Sequence, residues 1–166
     1  MLLTPRLRLR PIQISDLDLY AKLLGDVAVT RLIGGPKTRE FMVEKIVKDV
    51  ATWPQYGYGR FIVELRSRPE AIGMCGVWKS SIDDFHFDEV GYAIFEPYWS
   101  QGYTSEALAA TVDFAHNTAN LSPLTALVSP ENLSSKKALL KTGFSFDRHI
   151  NRLHFTNLEL WQKTKP

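Results

Sequence analysis

The chain has 166 residues, with 20 basic and 18 acidic side chains and a formal net charge of +2. That balance, with no long Lys/Arg run, excludes the electrostatic footprint of a nucleic-acid binder. An apolar content of 45% fits a soluble globular domain, and a single cysteine, Cys75, excludes an internal disulfide or a cysteine-built zinc cage. No apolar run reaches the roughly 18 residues of a membrane span. "MLLTPRLRLRP" carries charge where a signal peptide has its apolar region. The expectation is one domain over residues 1–166, cytoplasmic, monomeric or homodimeric, with no membrane or nucleic-acid partner.

"RLRLRP" alternates Arg6, Arg8 and Arg10 with Leu7 and Leu9, the period of a half-buried strand with its arginines in water. Ser15 precedes "DLDLYAKLL" with Asp18 three residues on, which predicts a capping box and a short helix. Gly34, Gly35 and Pro36 break the chain. Thr38 then caps a second helix. Its apolar face holds Met42, Val43, Ile46, Val47 and Val50, with Glu44, Lys45, Lys48 and Asp49 on the other side. "RFIVELRSRPEAIGMCGVW" reads as a hairpin turning at "RSRPE". "FHFDEVGYAIFE" is apolar on both faces, with Val90, Tyr92 and Ile94 opposed to Phe87, Ala93 and Phe95. Such a strand is central and covered on both sides.

A helix follows to about Thr118, with Ala107, Leu108, Thr111, Val112 and Ala115 as its buried stripe. "LTALVS" is a short strand. "NLSSKKALLKTGF" is a polar-capped helix ended by Gly143. "FSFDRHI" and "LHFTNLELWQ" form a hairpin around Asn151 and Arg152. The order β-α-α-β-β-β-α-β-α-β-β predicts an α/β (α+β) fold, a mostly antiparallel sheet with helices on its faces.

Three glycine segments compete as phosphate loops. "YGYGR" leads into a strand and lacks the third glycine of a dinucleotide fingerprint. "IGGPKT" lacks the Gly-Lys-Ser/Thr ending of a nucleoside-triphosphate loop. Only "WSQGYTSEA" has the order strand, short loop, helix, where free N–H groups and the helix dipole favour an anion. Alone, it reads first as a plain capped turn. In the same way Asn132 or Ser134 reads as a helix cap, and Lys136, Lys137 and Lys141 as solvated.

Together with "DEVGYAIFEPYWSQGYTSEAL" and "PENLSSKKALLKTGF", the segments "TPRLRLRP", "GGPKTREF" and "AIGMCGVW" make the chain resemble the GNAT superfamily of N-acetyltransferases, in particular its RimJ/RimL-like branch. The resemblance runs nearly end to end. It implies acetyl-CoA as co-substrate and a sheet splayed between two central strands. It also implies an acceptor that is a small primary amine or a protein N-terminus. The superfamily loop has Gln or Arg, two residues, Gly, one residue, then Gly or Ala. Here Trp99, Gly102 and Thr104 stand at those places, and the tryptophan is typical of the branch. By resemblance Ser100, Gln101, Gly102, Tyr103, Thr104 and Ser105 hold the pyrophosphate. Tyr92, Ala93 and Ile94 then pair with the pantetheine amides, and Asn132 and Ser135 flank that arm.

Acetyl transfer needs a base for the ammonium, a donor for the oxyanion and an acid for the thiolate. The base expected is Glu89, on the strand where relatives place such a carboxylate. Asp88 and His86 are the runners-up. Enclosure of that face would desolvate it and raise its pKa. Relatives often carry a tyrosine in the helix after the asparagine. Leu139 and Leu140 occupy that region here, so Ser135 is the expected proton donor, with an N–H near Tyr92 for the oxyanion. Cys75 in "IGMCGVW" reads as a buried structural thiol. His86, His116, His149 and His154 lack ligand spacing, so no metal is expected. Acceptor choice is expected from Thr30 to Lys37, Ser80 to Asp88 and the tail hairpin near His149 to Arg152. Trp53, Trp78, Phe85 and Tyr98 are pocket-wall or core residues, and Asp83, Asp84 and Asp88 are an acidic lure for a cationic amine. The competing reading is a CoA-binding or interaction module on the same fold without the chemistry.

Overall fold

The computed structural model describes residues 1–152 and 155–165. In chain order its strands are β1 (Leu2–Leu3), β2 (Leu7–Pro11), β3 (Arg60–Leu65), β4 (Ala71–Ile82), β5 (Phe85–Ile94), β6 (Leu124–Val128), β7 (Ser145–Arg152) and β8 (Phe155–Lys163). Its helices are α1 (Leu17–Gly25), α2 (Val27–Thr30), α3 (Arg39–Tyr56), α4 (Tyr103–Asn117) and α5 (Leu133–Lys141). Two short elements, β1 and α2, add to the expected order. His154 lies outside the described residues.

The strands form one sheet in the order β1-β2-β3-β4-β5-β6-β8-β7. Its neighbours are antiparallel except β5 and β6, which run parallel. α4 and α5 cover one face, where Leu108, Val112 and Leu139 pack on Val77, Val90 and Leu124. α1 and α3 cover the other, where Tyr20, Leu23, Met42 and Ile46 pack on Ile62, Met74 and Ala93. β5 is therefore buried between helices, as its two apolar faces require.

The first helix is not capped by Ser15. A single helical turn over Ile14–Asp16 precedes α1, and the Asp16 carboxylate accepts the Gln13 N–H at 2.8 Å. The reason is Arg10 on β2, whose two terminal nitrogens each donate to Asp16 at 2.7 Å. A strand guanidinium has drawn in the nearest carboxylate and set the helix start one turn early.

α3 begins as expected, with Thr38 Oγ1 accepting the Phe41 N–H at 3.3 Å. Its buried stripe differs. Met42, Ile46 and Asp49 are buried, while Val43 and Val47 are exposed. Continuing the helical period from Met42 and Ile46 leads to Asp49 and Trp53, and the sheet supplies a partner for the charge. Arg60 Nε on β3 lies 2.9 Å from Asp49 Oδ2, and both side chains are under a tenth exposed. The Tyr20 hydroxyl donates to the same oxygen at 2.6 Å, and Lys45 stands 3.2 Å away. Burial alone would raise the Asp49 carboxyl. The charges of Arg60 and Lys45 and the Tyr20 hydrogen bond overcome it and hold the group below the usual carboxylate range.

Asp49→Asn leaves the buried Arg60 without a counter-charge and is expected to cost about 3 kcal/mol. The urea midpoint should fall at unchanged m-value. The sign with pH follows from the lowered carboxyl. The pair stabilises the fold above the ordinary carboxylate pKa of about 4 and loses that contribution as the medium becomes more acid. Acid denaturation should therefore be shallower in the variant. An unchanged urea midpoint would show that this pair does not secure α3.

Candidate active site

The site begins where two strands part. β5 and β6 pair only at Asp88 with Leu124 and Glu89 with Thr125. Beyond that point β6 follows β8 and β5 stays with β4. The Ala93 carbonyl points to β4, since a Cβ on Gly73 would come within 2.2 Å of it. Strand alternation then aims the main-chain groups of Tyr92 and Ile94 into the gap. Ile94 O already accepts the Trp99 indole N–H at 2.6 Å. The Tyr92 hydroxyl reaches across and donates to Ser135 O at 3.2 Å.

A cavity of about 610 Å³ fills the mouth of the gap. Of the expected cofactor residues, Tyr92, Ala93, Ile94, Ser100, Gly102, Thr104, Ser105, Asn132 and Ser135 line it. Gln101 and Tyr103 do not. Gln101 O accepts from Arg6 Nη1 at 2.9 Å, its amide donates to Pro97 O at 2.9 Å, and the Tyr103 ring lies 4.5 Å under the Arg6 guanidinium. These two brace the loop from behind.

The loop itself is built for an anion. Ser100 and Gly102 have φ of 60° and 81°, a region that costs glycine little. Gly102 caps α4 with no side chain, and the first helical bond is Glu106 N–H to Gly102 O at 3.1 Å. Among the described residues, the N–H groups of Tyr103, Thr104 and Ser105 have no backbone acceptor. Glu106, in the first helical turn, is turned away to Thr4 and Arg6 at 2.6 and 2.7 Å. Asn132 caps α5 by accepting the Ser135 N–H at 3.1 Å. Arg31, Lys137 and Lys141 also line the cavity. These lysines line it together because their i, i+4 spacing puts them on one helix face, so they are not merely solvated as the sequence alone suggests.

A second cavity, of about 360 Å³, lies against the α3 side of the same strands. Leu32, Ile33, Tyr92, Asn132 and Ser135 line both cavities, so the two meet there. The second is bounded by the segment Thr30 to Lys37 and by Arg152 and Phe155 of the tail hairpin, as expected. Asp83, Asp84 and Asp88 do not line it. Asp88 is held by Lys79 and Tyr58, each at 2.9 Å. Trp78 and Tyr98 are cavity walls, whereas Trp53 packs on Phe61 in the core and Phe85 stacks on Phe87. His86 is exposed.

Glu89 lines the second cavity, but its setting is ionic rather than apolar. Arg152 Nη1 donates to Glu89 Oε2 at 2.8 Å and Nη2 donates to Ser80 Oγ at 2.8 Å. Among the described residues Oε1 has no protein partner. This contact spans 63 residues of sequence, so no local pattern announced it. Ser135 Oγ likewise has no partner among the described residues. Burial pushes the Tyr92 phenol up to about 12, keeping it protonated, and the Cys75 thiol up to about 12 as well. Cys75 accepts from Thr111 Oγ1 inside the core and faces neither cavity. No cluster of three or more His, Cys, Asp or Glu among the described residues is placed to hold a metal.

Residues 6–145 match the family model described as Acetyltransferase (GNAT) domain. This chain belongs to the GNAT acetyltransferase family. It is 30% identical over 146 residues to the uncharacterized N-acetyltransferase p20 of Bacillus licheniformis, covering 86% of this chain and 81% of that one. Its fold superposes on an acetyltransferase from Agrobacterium tumefaciens with a TM-score of 0.85 and 26% identity, over 99% and 94% of the two chains. Spermidine N-acetyltransferase from Vibrio cholerae, solved with CoA and spermine, shares the fold at a TM-score of 0.80 and 16% identity, over 97% and 96%.

A GNAT acyltransferase takes its acyl group from a CoA thioester, and the first cavity fits one. The N–H groups of Thr104 and Ser105, without a backbone acceptor among the described residues, and three cations suit phosphates, and the main-chain groups of Tyr92 with the N–H of Ile94 suit an amide-bearing arm. Gly102→Val puts a β-branched side chain at positive φ at the start of α4. The rise in Tm that CoA gives the parent should fall by at least half in this variant. An undiminished rise would show that CoA phosphates do not sit on this loop.

Proposed function

We propose that this GNAT enzyme moves an acetyl group from acetyl-CoA to a primary amine, a small molecule's or a peptide's, by direct attack within a ternary complex. The observation that carries the reading is the meeting of two cavities at Tyr92, Asn132 and Ser135, with Glu89 in the second. One cavity suits a CoA thioester, the other a compact acceptor, and the transfer point lies between them. The resemblance to N-acetyltransferases of the RimJ/RimL-like branch supports amines, and the complex of the Vibrio cholerae relative with CoA and spermine is consistent with that class.

Glu89 takes the ammonium proton on Oε1, directly or through water, while Arg152 fixes the other oxygen. The freed amine forms its bond to the acetyl carbon. The main-chain N–H of Tyr92 faces the gap and stabilises the charge that develops on the carbonyl oxygen. The C–S bond then breaks, the sulfur takes a proton from a hydroxyl at the junction, and that oxygen is reprotonated by the second proton leaving the former amine nitrogen as the neutral amide forms. Ser135 Oγ is the donor favoured by the sequence. The 3.2 Å contact of the Tyr92 hydroxyl with Ser135 O supports a second candidate at the same point. The buried Cys75 leaves no exposed thiol to carry the acyl group between the two substrates.

Thiol release from acetyl-CoA over a panel of amines and peptides tests the reading. Turnover is expected with at least one acceptor. Glu89→Gln should lower kcat/KM about 100-fold while CoA binding is kept. Loss of kcat in Ser135→Ala but not Tyr92→Phe would assign the acid to Ser135, and the reverse would assign it to Tyr92. Tight CoA binding with no turnover on any acceptor would favour a silent CoA-binding module.

A further inference from the structure

The acceptor cavity has a charge pattern that no step above uses. Four cations line it, Lys37, Lys45, Arg60 and Arg152, against one carboxylate, Glu89. Arg152 is committed to Glu89 and Ser80. Lys37 Nζ donates to a backbone carbonyl, Gly34 O, at 2.8 Å, and has no carboxylate partner among the described residues. Arg60 and Lys45 share one counter-ion, Asp49.

Arg60 is the centre of this pattern. Its side chain is 7% exposed, yet its hydrogen-bonding capacity is unspent. Nε is 2.9 Å from Asp49 Oδ2 but off the N–H axis, so the contact is an ion pair without a directed hydrogen bond. Among the described residues the terminal nitrogens also have no acceptor. The guanidinium plane is fixed all the same. Its carbon lies 3.5 Å from the Trp78 ring centroid. Trp78 in turn lies across Gly91, where a Cβ would come within 2.5 Å of the ring. Arg60 opposes Gly76, and Gly76 opposes Gly91, so two glycines clear the floor on which the stack rests. A buried, oriented guanidinium with open donors matches an oxyanion.

We propose, resting on the amine-acetyltransferase reading above, that the acceptor is a compact amine that also carries a carboxylate or comparable oxyanion, bound by Arg60 and Lys45 while its amino group meets Glu89. Trp78 opposes Glu89 in the register of β4 and β5, which puts the base beside the aromatic that carries the guanidinium. The cavity thus has an ammonium end and an oxyanion end. Lys45 is lowered to about 8 by burial and by Arg60, so it stays largely protonated at neutral pH. A polycation meets Lys37, Lys45 and Arg60 here, offset by Asp49 alone, since Glu89 and Arg152 offset one another.

The test separates binding from turnover. CoA-saturated protein is titrated calorimetrically with L-leucine and with 3-methylbutylamine, which is the same amine without the carboxylate. The C-terminally amidated peptides Ala-Asp-Gly and Ala-Asn-Gly form a second pair, differing in the one carboxylate. The anionic member of at least one pair should bind about 30-fold more tightly. A preference in the leucine pair marks a free amino acid as the source of the anion, and one confined to the peptides marks an acidic N-terminus. Arg60→Gln combined with Asp49→Asn removes the more deeply buried charges as a pair and leaves only Lys45, a quarter exposed, without its counter-ion. This double variant should shrink the ratio to a few-fold while keeping CoA stabilisation. Equal binding within both pairs, or tighter binding of the members without the added carboxylate, overturns the proposal. So does a ratio that survives in the double variant. These readouts do not need catalysis. Absence of thiol release would count against acetyl transfer alone, while rapid turnover of cationic amines with no anion preference would count against this proposal alone.

Discussion

The site depends on the loss of pairing between β5 and β6 after Glu89 and Thr125. Two parallel strands that stayed together would spend the main-chain groups of their facing edges on each other. Their divergence leaves polar groups of a central strand unpaired inside the protein, which is costly unless something satisfies them. A ligand with amides spaced along an arm can do so. The packing on either side keeps the gap from closing. β6 is drawn off by β8 and β5 is held by β4 over ten residue pairs. Tyr92 spans the opening to α5, so the gap has a fixed far wall as well.

The opposite face solves a different problem. α3 is docked by a charge, not only by apolar side chains. Asp49, Arg60, Lys45 and Tyr20 form a buried polar group between helix and sheet. Such a group is weak as a source of stability, because desolvation consumes much of the attraction. Its value here is directional. It places a guanidinium and an ammonium at the floor of a cavity that apolar packing alone would have left neutral. Helix docking and acceptor recognition therefore share the same atoms.

The sheet, the two covering layers and the phosphate loop were legible because each is written locally. Alternation in "RLRLRP", two apolar faces in "FHFDEVGYAIFE" and a glycine before a helix all act within a few residues. What escaped notice depends on partners distant in sequence. Asp49 looks like a surface residue until Arg60 is brought beneath it. Glu89 looks like a lone carboxylate until Arg152, on β7, arrives beside it. The Tyr92 hydroxyl meets Ser135 from 43 residues away, so no pattern within the helix after Asn132 announces it. Ser15 failed as a cap for the same reason, since Arg10 had a claim on Asp16. In each case a long charged or polar side chain chose its partner by tertiary position, where periodicity has no say.

Trp99 has a consequence beyond marking the loop. Its indole fastens the last carbonyl of β5 to the segment that turns into α4, and Gln101 ties that segment back onto Pro97. Strand end and helix start are thereby one rigid gauge. The span from the helix N-terminus to the point where β5 opens is set by the protein, not by whatever occupies it. A CoA thioester seated at its phosphate end delivers its sulfur to the same place every time. Acyl groups of different length must then differ only beyond the sulfur, on the side of the second cavity. Tolerance for the acyl chain and choice of the acceptor thus draw on the same space, so room gained for one is room taken from the other.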